Sequence, residues 1–298
     1  MNIGITGATG LIGTAVGRLA ADEGHHVIAY SRRPDSGKLP WASEVRPFHT
    51  EDSLPLDASG VDCLIHLAGE PVLGRWTAAK KQRIKESRVD LTQRITRCLA
   101  EASPRPASLL CGSAVGYYGS CGDQILEETA GNGTDILAEV CRLWEDSARR
   151  AEQLGIRVVR LRTGVVLGKE GGAFPLMRFA FDWGVGGRLG DGRQFTPWIH
   201  LQDEARMILW AAQHPTLSGP LNLSAPNPVT NAELTRSLAS AMNRWAFMHA
   251  PKFVLKLMLG EMSTMLLGSQ RVVPARALAE GFVFDFPDLG DALTDLLA

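Results

Sequence analysis

The chain has 298 residues, of which 45% are hydrophobic and 21% charged, with a formal net charge of -1. That length accommodates one large α/β domain, alone or with a smaller lobe, and a sizeable apolar core. The balanced charge gives no field to recruit nucleic acid or an anionic membrane, so neither is expected as a partner. The five cysteines, at 63, 98, 111, 121 and 141, form no C-x-x-C pair. They read as small buried hydrophobes, and no metal site is expected.

The opening, Met-Asn-Ile-Gly-Ile-Thr-Gly, lacks the basic and long apolar regions of a signal peptide. The most apolar stretch, residues 253–267, is broken by Lys256 and Glu261 and is too short and polar to span a bilayer. A cytoplasmic protein is expected.

In chain order, residues 2–6 suggest a strand, then Gly7-Ala8-Thr9-Gly10-Leu11-Ile12-Gly13 forms a glycine loop. Apolar residues at 11, 12, 15, 16, 19 and 20 have helical spacing, and residues 27–30 read as a second buried strand. Further strands are predicted at 45–50, 63–68, 108–113 and 157–166. Helices are predicted at roughly 77–101 and 135–154. Strands alternating with helices of this length imply a doubly wound parallel sheet of Rossmann type.

Beyond Gly168 the glycine- and aromatic-rich stretch 168–198 reads as irregular or lobe-forming. Helices at 205–213 and 231–242, the latter capped by Thr230 or Asn231, flank a short strand at 220–224. The division predicted is a Rossmann domain over 1–168, with some later return of the chain, and a smaller substrate lobe over 169–298. In the apolar stretch, Phe253, Val254, Leu257 and Met258 share one face and Lys252 and Lys256 the other. That amphipathic helix is expected to pack into the core, its methionines being able instead to line a pocket or partner surface.

Three glycines in the first loop serve a tight turn, close approach of backbone to pyrophosphate and close helix–strand packing. The phosphates then meet free N–H groups at the helix N-terminus. The second strand ends Tyr30-Ser31-Arg32-Arg33, where NAD-binding chains carry a carboxylate. Guanidiniums in that position suit the 2′-phosphate of NADP. Asp35, beyond Pro34, is the case for NAD.

With Thr6–Gly13, His66-Leu67-Ala68-Gly69-Glu70 and Gly112-Ser113-Ala114 in order, the chain resembles the extended short-chain dehydrogenase/reductases. It is more closely similar to their atypical "epimerase family protein" branch, NAD-dependent epimerase/dehydratase-like. The narrower resemblance rests on Leu67-Ala68-Gly69-Glu70-Pro71, Arg75-Trp76-Thr77, Ser113 through Gly119, Arg162 through Leu167, and Phe195 through His200. The segment from about Arg244 resembles the domain of unknown function that closes these chains.

The resemblance implies a cofactor set of Gly7, Thr9, Gly10, Leu11, Ile12 and Gly13 with Ser31, Arg32 and Arg33. It extends to Leu67, Ala68, Gly69 and Glu70, with Arg88 as a phosphate partner and Val165 beside the nicotinamide. Leu67 and Val165 have core packing as an alternative reading, and Arg88 that of a solvated charge. The resemblance also allows a homodimer.

Reductases of this superfamily use Ser or Thr with a Tyr-x-x-x-Lys pair, the lysine lowering a tyrosine pKa from about 10. No such pair exists here. The residues four beyond Tyr30, Tyr117 and Tyr118 are Pro34, Cys121 and Gly122. By alignment Leu137 takes the tyrosine position and Cys141 the lysine position. The catalytic candidates are therefore Ser113 with Tyr117 or Tyr118 as a substitute acid–base, those tyrosines having a structural alternative. His200 and Asp203 read as a hydrogen-bonded core constraint, with Asp203 capping the following helix. Two functions follow: an NADP(H)-dependent oxidoreductase or epimerase-like enzyme acting on a small polar substrate, or a non-catalytic NADP(H) sensor or scaffold.

Overall fold

The computed structural model describes residues 1–34, 39–48 and 56–298. Seven strands form one parallel sheet: β1 (Asn2–Thr6), β2 (His26–Ser31), β3 (Glu44–Pro47), β4 (Cys63–His66), β5 (Ser108–Ala114), β6 (Arg157–Thr163) and β7 (Gly219–Leu223). Their order is β7-β6-β5-β4-β1-β2-β3, and each neighbouring pair is parallel. The winding reverses between β1 and β4, which opens a crevice at the carboxyl ends of those strands.

Both faces of the sheet are buried, so apolar side chains alternate between two cores rather than between core and solvent. On one face Ile3, Ile5, Ile65 and Leu110 pack with α1 (Leu11–Asp22) and α6 (Leu201–Gln213). On the other Leu64, Leu109 and Cys111 pack with Leu91, Ile95 and Leu99 of α3 (Leu91–Glu101) and Trp144 of α4 (Ile136–Arg149). A third core joins Phe174 and Phe181 of α5 (Phe174–Asp182), Trp198, Leu234 and Leu238 of α7 (Asn231–Ala241), and the C-terminal helix Leu289–Leu297. Residues 201–223 return to the main sheet as α6 and β7.

Several elements differ from the sequence reading. The expected strand at 45–50 is Glu44–Pro47, and residues 49 and 50 lie outside the described residues. The expected helix over 77–101 is α2 (Ala78–Lys85), a π-helical turn (Glu86–Asp90) and α3 in succession. Periodicity cannot register one wide turn inside a helix. The stretch 168–198, read as irregular or lobe-forming, contains one regular helix, α5, with Pro175 in its first turn and Phe174 and Phe181 buried. Tertiary burial of two aromatics decides that helix. The cap of α7 is Thr230, whose side chain accepts from the Glu233 N–H while Glu233 takes the Thr230 N–H.

The amphipathic helix α8 (Lys252–Leu259) is not a core element. Of its residues only Leu255 is buried, and Phe253, Leu257 and Met258 are 72%, 85% and 72% exposed. An apolar stripe states that a helix has something to cover, and leaves open whether the cover belongs to its own chain.

Candidate active site

The glycine loop lies at the end of β1, against the backbone that follows β4. Gly7 has φ +72, and a Cβ there would come within 2.7 Å of the Leu67 carbonyl carbon. A Cβ on Gly13 would lie 2.3 Å from the Gly7 carbonyl oxygen. No side chain fits at either position, so the helix, the turn and the β4 loop meet backbone to backbone. Gly10 is the N-cap of α1 and brings no capping side chain, while its own N–H donates to Gly7 O at 2.9 Å. Thr9 and Gly10 are exposed, Leu11 and Ile12 half-buried. An open, uncapped N-terminus on a 12-residue helix is the geometry that receives an anion.

At the end of β2, Ser31 is buried and its Oγ accepts the Arg33 N–H at 3.1 Å. The turn carries Arg32 and Arg33 into solvent. Neither forms an ion pair among the described residues. Asp35, the carboxylate that would argue for NAD, lies outside them.

At the end of β4, half-buried Leu67 packs on the α1 side and Ala68 on the α3 side of the sheet. Gly69 is exposed, and the Glu70 N–H donates to Ser87 Oγ at 2.9 Å. The Glu70 carboxylate receives Lys80 Nζ at 2.8 Å and lies 3.6 Å from Arg83 Nε. The Lys80 hydrogen bond holds it below the usual carboxylate range. Arg88 donates to the carbonyls of Glu70 and Ile84 and lies over the Trp144 ring, 5.1 Å from its centroid. Burial depresses its pKa, and no carboxylate pairs with it among the described residues. Ser87 and Arg88 both belong to the π turn, a local widening common at functional sites. Val165 is half-buried beyond β6, paired with Trp198.

The end of β5 is built differently. Ser113 Oγ donates to Glu145 Oε1 at 2.8 Å. Glu145 is bound in turn by Arg162, with Nε to Oε1 at 2.8 Å and Nη2 to Oε2 at 3.0 Å. All three side chains are buried. Arg162 Nη1 also donates to Tyr118 Oη at 2.9 Å, and that hydroxyl donates to Asn222 Oδ1 at 2.6 Å. Burial pushes the Tyr118 phenol up to about 12, against the pull of Arg162. Tyr118, with its hydroxyl engaged twice and 1% of its surface exposed, has the surroundings of a structural residue. Tyr117 is half-buried, with the Arg162 guanidinium 3.6 Å from its ring centroid. Leu137 and Cys141 do face this turn: a Cβ on Gly116 would lie 3.7 Å from both. Burial pushes the Cys141 thiol up to about 12.

Sequence reasoning missed the Arg162–Glu145 pair, Asn222 and Glu128. Glu128 accepts the Asn222 N–H at 3.1 Å, and burial raises its pKa. One signal existed: Arg157, Arg160 and Arg162 interrupt an otherwise apolar strand, and a charge inside a two-sided strand demands a partner.

Asp203 is not the cap of α6. His200 is, its Nδ1 accepting the Gln202 N–H at 3.2 Å. Asp203, fully buried, instead accepts the N–H groups of Asp285 and Phe286 and pins the C-terminal segment. Beside it, burial pushes Glu204 up to about 8, only partly opposed by the Thr163 hydroxyl donating to it at 2.9 Å. Among the described residues no group of three or more His, Cys, Asp or Glu is arranged to hold a metal ion, and no helix is long and apolar enough to cross a membrane.

The family described as NAD dependent epimerase/dehydratase matches residues 3–223, which contain the whole crevice. The chain belongs to that family. A domain of unknown function, DUF1731, matches residues 250–296. Epimerase family protein YfhF of Bacillus subtilis is 37% identical over 305 residues, covering 100% of this chain and 98% of that protein. The crystal structure of human epimerase family protein SDR39U1 (isoform 2) with NADPH matches at a TM-score of 0.88 and 32% identity, covering 99% of each chain. MoeE5 in complex with UDP-glucose and NAD matches at 0.76, covering 100% of this chain and 98% of that one. At 20% identity it shares the fold. The parallel central sheet and the smaller C-terminal region implied by the resemblance are both shared with the human SDR39U1 structure.

Proposed function

We propose that this protein binds NADP(H) and acts as an oxidoreductase or epimerase-like enzyme on a small polar substrate. The observation that carries the reading is the junction of the backbone-walled glycine loop with the exposed Arg32 and Arg33, which form no ion pair among the described residues. Gly7, Thr9, Gly10, Leu11, Ile12 and Gly13 hold the pyrophosphate. Ser31 shapes the turn that presents Arg32 and Arg33 to the 2′-phosphate. Leu67, Ala68, Gly69 and Glu70 line the crevice with Arg88, and Val165 flanks the nicotinamide end. NADPH in the human relative supports the choice of cofactor, with NAD, bound by MoeE5, the alternative.

Bound there, the dinucleotide supplies hydride transfer. The chain itself supplies position and a proton route. Ser113 and Tyr117 stand at the end of β5, and the Tyr117 hydroxyl, unlike that of Tyr118, makes no hydrogen bond among the described residues. Arg162 fixes its ring, and Tyr118 forms the floor beneath it. A second reading, a non-catalytic NADP(H) sensor or scaffold, is favoured by one observation. The Ser113 hydroxyl is already donated to a carboxylate locked by Arg162.

Titration of NADPH and NADH against the wild type and Arg32→Ala tests the cofactor. The expected result is NADPH binding weakened about 10-fold or more, roughly 1.4 kcal/mol or above, with NADH unaffected. Equal affinities untouched by the substitution overturn the NADP assignment. A screen of carbonyl and sugar-nucleotide substrates separates the two functions. Substrate-dependent NADPH oxidation that is lost in Tyr117→Phe removes the sensor reading, and its absence removes the enzyme.

A further inference from the structure

One half-buried arginine of the C-terminal segment has no acceptor. Arg271 opens the short strand Arg271–Val272, which pairs in parallel with Ile125–Leu126. Its guanidinium lies over the Phe195 ring, 5.0 Å from the centroid. Its Nε is shut off from solvent and donates to nothing among the described residues. The two terminal nitrogens stay open to solvent, and among the described residues they make no hydrogen bond and meet no carboxylate. Other buried or half-buried arginines are satisfied. Arg162 is paired with Glu145, Arg206 with Asp203 and Asp285, and Arg276 donates to the carbonyls of Ser218 and Pro220. A buried donor without an acceptor is costly, and a partly desolvated cation without a counter-charge more so.

A run of contacts fixes where Arg271 stands. Its neighbour Gln270 donates from Nε2 to the Val115 carbonyl at 3.1 Å, and the Cys121 N–H donates to the Ser269 carbonyl at 2.9 Å. Val272 packs with Val115, Tyr118 and Leu126, and Tyr117 lies against that cluster. The segment is therefore laid on the turn that follows Ser113. It is also tied to Phe195. The Gln270 N–H donates to the Phe195 carbonyl at 3.2 Å, and the Phe195 N–H donates to Ser269 Oγ at 3.0 Å. Two residues past Phe195, the Pro197 carbonyl accepts the Val165 N–H at 2.6 Å. Arg271 thus stands where the Tyr117 turn and the strand beside Val165 are stitched together, between the two elements proposed to flank the reacting groups.

We infer that Arg271 is the residue that selects the substrate, and that the group it selects is a carboxylate. This rests on the reading that the crevice holds NADP(H) with the substrate beside Ser113 and Tyr117. A guanidinium matches a carboxylate with two parallel N–H···O bonds. The contact with Phe195 occupies none of its N–H groups, so that capacity is kept. Charge decides between oxyanions. Arg162 is neutralised by Glu145, which leaves Arg271 to bring a single uncompensated positive charge to this junction. One carboxylate balances it, whereas a diphosphate leaves a surplus of negative charge. The substrate class is then a hydroxy or keto acid, its carboxylate on Arg271 and its alcohol or carbonyl carbon toward the nicotinamide.

The test is titration calorimetry of the NADPH-saturated chain with oxamate, a monocarboxylate that carries a carbonyl, and with inorganic pyrophosphate. It compares wild type, Arg271→Met and Arg271→Lys. Saturation with NADPH fills the cradle, so the anions do not report on Arg32. Oxamate is expected to bind wild type in the millimolar range or tighter, and Arg271→Met at least about 10-fold more weakly. Arg271→Lys is expected in between, because an ammonium keeps the charge without the fork. NADPH affinity is expected to be the same in all three. Oxamate that does not bind wild type, or that binds Arg271→Met equally well, overturns the inference. Pyrophosphate held more tightly than oxamate through Arg271 overturns the carboxylate assignment. If Arg271→Met does not fold, Arg271→Lys decides: weaker oxamate binding upholds the inference and unchanged binding overturns it. Failure of wild type to bind NADPH sinks the cofactor reading instead. Oxamate titrated into Arg32→Ala, with and without Arg271→Met, then decides this inference on its own.

Discussion

The two ends of the crevice are made of different material. Around the glycine loop the walls are backbone: Gly7 against Leu67, Gly13 against Gly7, an uncapped helix end facing out. Around Ser113 they are side chains, and their charges are spent on one another through Glu145, Arg162, Tyr118 and Asn222. The first end is preorganised and open. The second is preorganised and filled. A family can keep a cofactor cradle unchanged while the reaction end is rebuilt, because the cradle depends on small residues and the reaction end on which charges find partners.

The largest effect that can break this comparison is in the cradle. Gly13→Val is expected to abolish NADPH binding, a loss above 100-fold by titration calorimetry, because its side chain must displace the turn that the phosphates need. Retained affinity would show that the cradle is not backbone-walled.

At the filled end, Arg162→Met strips buried Glu145 of its two closest charged hydrogen bonds and leaves it only the Ser113 hydroxyl and Arg160 Nη1 at 3.4 Å. It is expected to lower stability by about 3–5 kcal/mol in urea unfolding. Adding Glu145→Leu should recover part of that loss, since two apolar groups replace the closest charged pair while Arg160 gives up its 3.4 Å contact. No recovery would mean that the packing around the pair matters more than its charge.

Glu204 gives an effect that depends on pH. Its carboxyl titrates at about 8 when folded against 4.5 otherwise, so the folded state holds a proton that the unfolded state releases. Stability from this group is complete below pH 4.5, falls as pH rises, and is gone above about 8. Urea midpoints at pH 5, 7 and 8.5 should show that decline, and Glu204→Gln should flatten it. The smallest effect is at a helix end. Thr230→Ala removes the α7 cap and should cost about 1 kcal/mol in the same assay.

What was legible in the sequence follows the same division. The cradle was legible because its determinants are consecutive: a strand, a glycine every third residue, then helical spacing. The basic turn after β2 was legible for the same reason. The Arg162 network was not, since Ser113, Glu145, Arg162 and Asn222 are brought together only by strand pairing and an intervening helix. The exposure of α8 was hidden too, because the spacing of Phe253, Leu257 and Met258 is the same whether the covering surface is cis or trans. The α6 cap was misassigned by one turn: a histidine can accept from the helix N-terminus as an aspartate does, and Asp203 was needed elsewhere.

The π turn at Glu86–Asp90 has a consequence for how the chain can change length. A wide turn holds one more residue than an α-helical turn, so the helix on either side of it is out of phase by about 100°. Deleting a single residue there would not simply shorten the helix. With α3 clamped to the sheet by Leu91 and Ile95, the deletion would have to rotate α2 about its own axis and draw Lys80 away from Glu70. The surplus residue is thus a spacer in angle rather than in length, and this stretch should tolerate substitution far better than a change in residue number.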